Sequence, residues 1–159
     1  MLDSSIFVLM DPSTKQLHPL FSATKGGATL GLRSSQLSDL PLYAEQEYVV
    51  VAVNPTGSTG FGKAFTDDIQ GAWGGRPYGD VVNCFEHVKR TMPYADLSRA
   101  AAIGASYGGY LINWIAGQPL AKEFRALVCH DGVISGYGMF GSNIGCDVAK
   151  TMRCMPWEV

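Results

Sequence analysis

The chain has 159 residues, of which 47% are hydrophobic and 16% are charged, and its formal net charge at pH 7 is −2. That balance is typical of one soluble globular domain with enough apolar residues to build a core. It gives no electrostatic reason to expect a nucleic acid or an anionic membrane as a partner. No apolar run approaches the roughly 20 residues that span a bilayer. Residues 1–5 contain an acid and no lysine or arginine, so we expect no secretory signal peptide and leave the localisation open.

The four cysteines show neither a Cys-x-x-Cys pair nor a Cys/His cluster at zinc spacing. We therefore expect no metal site and no cofactor. Cys84 and Cys129 lie within apolar patterns, which predicts buried thiols. Cys146 and Cys154 lie in an unpatterned stretch, so cysteine usage does not fix the redox compartment.

In chain order, the first predicted element is a short strand over residues 6–10, inside a segment, residues 1–43, that otherwise lacks a sustained period of 2 or 3.6. The β-branched run over residues 48–53 predicts a fully buried strand of a parallel sheet. A loop rich in Pro, Thr, Ser and Gly follows it.

An amphipathic helix is predicted over residues 80–92, where apolar residues recur at spacings of four, three and four before a proline. A strand over residues 100–103, a helix from Tyr110 to Ala116 and a third buried strand over residues 126–129 follow. Strands that alternate with helices indicate right-handed crossovers. The sequence therefore predicts an α/β fold with three adjacent parallel strands and flanking helices.

We divide the chain into a poorly patterned N-terminal segment (1–43), an α/β core (44–135) and an unpatterned C-terminal tail (136–159). Within the core, the aromatic and glycine-rich run over residues 72–78 predicts a rigid, non-helical loop that packs on the sheet. His87 is expected on the exposed side of its helix.

The most specific motif is Gly-Ala-Ser-Tyr-Gly-Gly over residues 104–109, between a predicted strand and a predicted helix. This is the G-x-S-x-G nucleophile elbow in the strand-turn-helix context that it requires. Glycines at 104, 108 and 109 leave room for a strained turn that lifts the Ser106 hydroxyl above the sheet. The alternative is a glycine-rich turn that buries a small serine.

A second pattern, G-x(4)-G-K over residues 57–63, is typical of a phosphate-binding loop. Ala64 stands where that loop places a Ser or Thr hydroxyl, which favours an ordinary connecting loop with Lys63 in solvent. His130 and Asp131 follow the third strand, at the edge where parallel sheets collect functional groups. Since neighbouring strand residues point to opposite faces, a loop hydrogen bond for one and a place near the site for the other is favoured over a shared metal.

Taken together, the runs over residues 54–62, 73–75 and 104–110 resemble the catalytic domain of the prolyl oligopeptidase family. The extensions over residues 112–115 and 130–132 are most similar to the fungal dipeptidyl-peptidase V branch of that family, whose enzyme is secreted.

The resemblance covers roughly residues 44–135. It implies a partial α/β-hydrolase fold, truncated on its C-terminal side, and serine-dependent cleavage of dipeptides from peptide N-termini. Ser106 would be the nucleophile and the Tyr107 amide would donate to the oxyanion. Gly132 and Val133 would floor the pocket for the peptide substrate.

The sequence also departs from the family pattern. The family's His-Gly-Gly-Pro segment has its nearest match at residues 25–28, without the histidine or the proline. In the family the catalytic aspartate and histidine lie well beyond the elbow, yet no histidine follows His130 in this sequence, and we expect the family's upstream propeller to be missing from it. We therefore expect the free chain to be weakly active or inactive, with no histidine in reach of Ser106. The strands missing from one side would leave a sheet edge prone to self-association.

Two alternatives remain open beside a serine peptidase. The first is a non-catalytic fragment that binds peptides or an intact subunit through its open edge. The second is another α/β-hydrolase, an esterase or a lipase, that uses the same elbow.

Overall fold

The computed structural model describes residues 4–10, 20–21, 24–26, 48–58, 61–135 and 138–139, with only the backbone of the first three ranges. The strands in this part of the chain are β1 (Ser4–Met10), β2 (Leu20–Phe21), β3 (Thr24–Gly26), β4 (Val49–Val51), β5 (Ala101–Ala105) and β6 (Ala126–His130). The α-helices are α1 (Lys63–Asp67), α2 (Arg76–Thr91) and α3 (Tyr107–Ala116). Short 3-10 helices cover Leu97–Arg99 and Pro119–Glu123.

The described strands form one sheet in the order β2-β4-β1-β5-β6, and β3 pairs with β1. Strand β1 runs antiparallel to both of its central neighbours, with Val8 opposite Val51 of β4 and opposite Ala102 of β5. Strands β5 and β6 are adjacent and parallel, as predicted. The prediction of three adjacent parallel strands is wrong for β4 and β5, because β1 lies between them. Hydrophobic periodicity reports that a segment is a strand but not which strand it pairs with.

Strands β4, β5 and β6 nevertheless run in the same direction, since β4 and β5 both oppose β1 and β6 parallels β5. Their carboxyl ends therefore meet at one edge of the sheet. The intervening strand separates the ends of β4 and β5 by roughly 10 Å, two strand spacings. The loop after β4, the turn after β5 and the turn after β6 all lie at this edge.

Helix α3 packs against β5, β6 and β1. Helix α2 contributes a buried face of Val81, Phe85 and Val88, at the spacing that the sequence predicts for residues 80–92. The Phe85 ring meets Phe124 edge to face, with 5.1 Å between ring centroids. Both helices contribute to one cluster of buried apolar residues that holds the sheet and the loops together.

Helix α2 begins at Arg76, so the prediction of a non-helical loop over residues 72–78 is wrong for its last three residues. Pro77 lies in the first turn of the helix, where its fixed φ is favourable and its missing N–H has no partner to lose. Trp73, just before the helix, is buried, as the predicted packing role requires. Helix α2 ends at Thr91, and His87 is exposed, as predicted.

Strand β6 is much more exposed than its apolar sequence predicts. Val128 is 44% exposed and the Cys129 thiol is also exposed, so the predictions of a buried third strand and of a buried Cys129 are wrong. The physical reason is position, because β6 is the last strand in the order of the described sheet. Strand β4 covers only Val49–Val51 and is half-buried, as is Cys84, so the predictions of a fully buried strand over residues 48–53 and of a buried Cys84 are also wrong. Self-association through β6 stays a prediction. In the described part of the chain, no helix has the length and apolar character of a membrane span.

The packing of α2 predicts that truncation at two nearby positions of the helix changes the free energy of unfolding by very different amounts. Truncating Phe85 to alanine removes a buried ring and leaves a cavity, so Phe85→Ala should lower the free energy of unfolding by about 3–5 kcal/mol. His87→Ala, on the exposed side, should change it by less than about 0.5 kcal/mol. Urea unfolding of both variants measures this, and equal losses would contradict the buried face described here.

Candidate active site

Ser106 occupies the turn between β5 and α3 with φ 55° and ψ −116°. A positive φ is uncommon for any residue other than glycine and stores strain when the surroundings enforce it. Strand β5 ends at Ala105 and helix α3 begins at Tyr107, so the whole reversal is made at one residue. The predicted sharp strand-turn-helix junction at Ser106 is confirmed.

Backbone hydrogen bonds to the turn after β6 hold this conformation. The Ser106 N–H donates to the His130 carbonyl at 3.1 Å, and the Val133 N–H donates to the Ser106 carbonyl at 3.4 Å. The same carbonyl accepts from Tyr110 N–H at 3.0 Å, the first hydrogen bond of α3. The elbow is therefore fixed by a neighbouring strand as well as by its own helix.

Two glycines let α3 approach the turn after β6 closely. A Cβ on Gly109 would lie 2.5 Å from Gly132 Cα, and a Cβ on Gly132 would lie 2.7 Å from the Gly109 carbonyl carbon and would also collide with Cys129 Sγ. Because these neighbours are largely backbone, they cannot move aside cheaply. The predicted elbow glycine Gly109 and the predicted pocket residue Gly132 are thus in direct contact.

The remaining predicted site residues surround the elbow. Gly104 is buried in β5 opposite Cys129, and Gly108 is buried in the first turn of α3. Val133, in the segment that bonds to Ser106, is 6% exposed. Tyr107 is the first residue of α3, a position whose N–H has no acceptor within its own helix. The roles predicted for these residues in catalysis and substrate binding stay predictions.

An aromatic cluster packs behind the elbow. The Tyr107 hydroxyl donates to the Trp73 carbonyl at 2.7 Å, and the two rings meet edge to face at 5.1 Å. Tyr110 stacks on Tyr107 and, one turn further along α3, on Trp114. Burial raises the pKa of Tyr107 far above its ordinary value, with smaller contributions from Tyr110 and the Asp80 carboxylate. Burial also raises the pKa of Tyr110.

The loop after β4 is tied to α2 by one carboxylate. Asp80 Oδ2 accepts from the Thr56 N–H at 2.7 Å and from the Thr56 hydroxyl at 2.6 Å. The sequence interpretation missed this pair, since it used Asp80 only as the start of an amphipathic helix. A signal existed: Asp80 lies three residues after Pro77 and four before Cys84, beside the buried face, where a polar side chain needs a partner.

The described residues bring no base to Ser106. His87 is exposed on α2, and in the described residues no side-chain hydrogen bond joins it or His130 to the Ser106 hydroxyl. His130 contributes its carbonyl, and Asp131 follows it with φ 47°, a second left-handed residue beside the elbow. His18 and residues 27–28 lie outside the described residues. No group of three or more His, Cys, Asp or Glu side chains suited to a metal ion occurs in the described part.

Lys63 of the glycine-rich loop is solvent-exposed and pairs with Asp67 on α1, as expected for an ordinary connecting loop. Part of that loop, residues 59–60, lies outside the described residues.

A family model described as the prolyl oligopeptidase family matches residues 34–151, which is more than half of the chain. The chain belongs to the prolyl oligopeptidase family. The fold comparison agrees, since a Pyrococcus horikoshii acylaminoacyl peptidase superposes over 100% of this chain with a TM-score of 0.75 at 22% identity, covering 28% of that chain. The α/β-hydrolase fold that the family resemblance implies is confirmed, with β1 as an antiparallel member of the sheet.

Closer relatives are also found. The chain is 60% identical over 90 residues to dipeptidyl-peptidase 5 of Aspergillus fumigatus, covering 57% of this chain and 12% of that protein. It is 52% identical over 102 residues to dipeptidyl-peptidase 5 of Trichophyton schoenleinii, covering 64% of this chain and 14% of that protein. An acylaminoacyl peptidase solved in complex with Z-Gly-Gly-Phe-chloromethyl ketone shares 30% identity and a TM-score of 0.66, covering 74% of this chain and 19% of that one. The chain thus spans a small part of each of these relatives.

The contact between Gly109 and Gly132 predicts a strong position effect for alanine. Gly132→Ala should lower the free energy of unfolding by about 1–3 kcal/mol, because the new Cβ collides with backbone. Gly79→Ala is the matched control, since a Cβ there meets nothing within 4 Å. In the interior of α2 that control should be neutral or stabilising by up to about 1 kcal/mol. Urea unfolding compares them, and a harmless Gly132→Ala would contradict the close approach.

The buried phenol of Tyr107 predicts a loss of stability at high pH. The phenol stays protonated in the folded chain but loses its proton in the unfolded chain above about pH 10. The unfolded state then binds fewer protons, so stability is retained below about pH 10 and falls by up to about 1.4 kcal/mol per pH unit above it. Tyr107→Phe should remove this share of the slope, and should cost about 1–3 kcal/mol at neutral pH because the Trp73 carbonyl loses its donor. Urea titrations at several pH values test both effects, and an unchanged alkaline slope would contradict the assignment.

Proposed function

We propose that this chain carries the nucleophile of a serine peptidase. Ser106 attacks a peptide carbonyl, and the Tyr107 N–H stabilises the oxyanion that forms. The observation that carries the proposal is the backbone of Ser106, held at φ 55° between a strand and the N-terminus of α3. This is the geometry of a nucleophile elbow, in which the serine and the first helix amide face the same point.

The electrostatics of the turn support the same assignment. The N-terminus of α3 carries a partial positive charge and unpaired amide donors, which favour a developing negative charge beside Ser106. Gly109 and Gly132 bring the segment around Val133 to the same place, where it would floor the pocket for the substrate.

We propose that the substrate is a peptide, cleaved so that a dipeptide leaves from its N-terminus. Support comes from the fungal relatives named dipeptidyl-peptidase 5. A structural neighbour of 30% identity was solved with a peptide chloromethyl ketone, which is consistent with a peptide in the equivalent cleft.

The rate of this chemistry depends on a general base. A serine is a weak nucleophile until a neighbouring group takes its proton, and the described residues place no histidine on Ser106. Loss of the base lowers turnover by about 10⁴-fold or more in serine peptidases. We therefore expect this chain to hydrolyse dipeptide amides very slowly.

Active-site labelling tests the proposal. A fluorophosphonate probe reacts with an activated serine, so it should label the chain slowly and not label Ser106→Ala. Ser98→Ala is the matched control, since this exposed serine lies in a 3-10 helix outside the elbow, and its labelling should equal that of the unchanged chain.

Substrate comparison separates the alternatives. Slow cleavage of dipeptide amides above that of short acyl esters, lost in Ser106→Ala, supports a peptidase. Preference for the acyl ester would indicate an esterase or lipase. Absence of any Ser106-dependent labelling would contradict the proposed nucleophile and favour a binding role. Fast turnover lost in His130→Ala would instead make His130 the base and contradict the slow rate expected here.

A further inference from the structure

The loop after β4 is organised around a single acceptor. Both the N–H and the hydroxyl of Thr56 donate to one oxygen of Asp80, which is 24 residues further along the chain. Thr56 is 6% exposed. Hydrogen bonds to a carboxylate are charge-assisted and stronger than those between neutral groups. The strongest described link between this loop and the rest of the fold is therefore made through Asp80.

The rest of the loop is built on this anchor. Ser58 N–H and Ser58 Oγ both donate to the Pro55 carbonyl, closing a turn over residues 55–58. Gly57 N–H donates to Phe65 of α1, and a Cβ on Gly57 would lie within 2.7–2.9 Å of Ile69. Gly57 is therefore packed directly against Ile69. Thr56, in the same turn, is the residue that Asp80 holds.

The segment that leads into α2 also contacts the elbow. Asp80 lies in α2, seven residues after Trp73, whose carbonyl accepts from the Tyr107 hydroxyl. The Asp80 carboxylate also acts electrostatically on the buried Tyr107 phenol. Tyr107 is the residue directly after Ser106. A path of hydrogen bonds and backbone thus leads from Thr56 to Asp80, along the start of α2 to Trp73, and from the Trp73 carbonyl to Tyr107 beside the nucleophile turn.

We propose that Asp80 is a positioning residue, which locks the turn over residues 55–58 and the first residue of α3 into one arrangement at the carboxyl edge of the sheet. In this role it fixes the turn over residues 55–58, which lies at the same sheet edge as Ser106, and the direction of the Tyr107 N–H without touching the substrate. The catalytic part of the inference rests on the proposed function of Ser106, whereas the positional part does not.

Amide hydrogen exchange tests the positional part without any need for activity. Asp80→Ala should speed exchange of the Thr56 amide about tenfold to a hundredfold, and should also speed exchange at Ser106 and Val133, whose N–H groups hold the elbow. The Met92 amide, bonded to Val88 at the far end of α2, should keep its rate. Asp80→Asn keeps an acceptor oxygen and should restore most of the protection, which also covers the case in which the alanine variant folds poorly.

Asp96→Ala is the matched control. Asp96 also accepts from both the N–H and the hydroxyl of one residue, Ser98, but in an exposed 3-10 turn. The Asp96→Ala substitution should speed amide hydrogen exchange at Ser98 alone. In the activity arm, Asp80→Ala should lower the rate of fluorophosphonate labelling per folded molecule about tenfold, whereas Asp96→Ala should leave it unchanged.

Each outcome decides the matter. A uniform rise at all amides in Asp80→Ala would mean that Asp80 only stabilises the fold, and would overturn the proposal. A rise at Thr56 with no change at Ser106 and Val133 would overturn the link to the elbow. If Asp80→Ala is labelled as fast as the chain without a substitution, the catalytic part of the proposal is overturned. If the unchanged chain is not labelled at all, the proposed function fails, and the exchange data still decide whether Asp80 positions the elbow.

Discussion

The left-handed backbone of Ser106 is the constraint around which the described structure is arranged. A residue with a Cβ held in a rare region of φ and ψ stores of order 1–3 kcal/mol. Three backbone hydrogen bonds of about 1 kcal/mol each are of the size needed to offset that strain. One of them is made with His130 at the end of β6 and one with Val133 in the turn after it. The elbow therefore needs strand β6 in register beside β5, and the pairing of Gly104 with Cys129 supplies that register. A side chain at Gly109 or Gly132 would push α3 and the turn after β6 apart, and these are the two elements that hold the elbow.

The other side of the elbow is supported by side chains rather than backbone. Trp73 and Tyr107 bury two large rings and share a hydrogen bond, and α2 follows directly after Trp73. Asp80 then extends the same support to the loop after β4. Strands β4 and β5 are not neighbours, so no ladder hydrogen bond connects their ends. The aromatic cluster and the Asp80 carboxylate connect these two strand ends instead. Polar and aromatic side chains therefore lie on this side of the elbow, whereas glycines lie at its contact with the turn after β6.

The sequence predicted the parts of this structure that local chemistry determines. The spacing of Val81, Phe85 and Val88 predicted α2, the glycines around Ser106 predicted the elbow, and the alternation of strands with helices predicted the fold class. The sequence did not predict which distant segments pair. The place of β1 beside β5, for example, depends on contacts across more than 90 residues. The exposure of β6 was missed for a related reason, because an apolar run looks the same in a central strand and in the last strand of a sheet. The bond from Thr56 to Asp80 was missed because the two residues are 24 positions apart and Asp80 was used only as the start of an amphipathic helix.

The serine and the amide that we propose as nucleophile and oxyanion donor differ from a base in how the fold can place them. Ser106 and Tyr107 are consecutive residues, so the turn that presents the hydroxyl also presents the amide, and neither can be placed without the other. A histidine base must come from a separate segment and meets the serine only through long-range packing. A G-x-S-x-G elbow therefore fixes a serine and a helix N-terminal amide together by backbone geometry, and under the proposed function these are the nucleophile and the oxyanion donor. The described residues supply that serine and amide together with the contacts that hold them, so under the proposed function the reactivity of Ser106 depends on a base that the elbow itself cannot create.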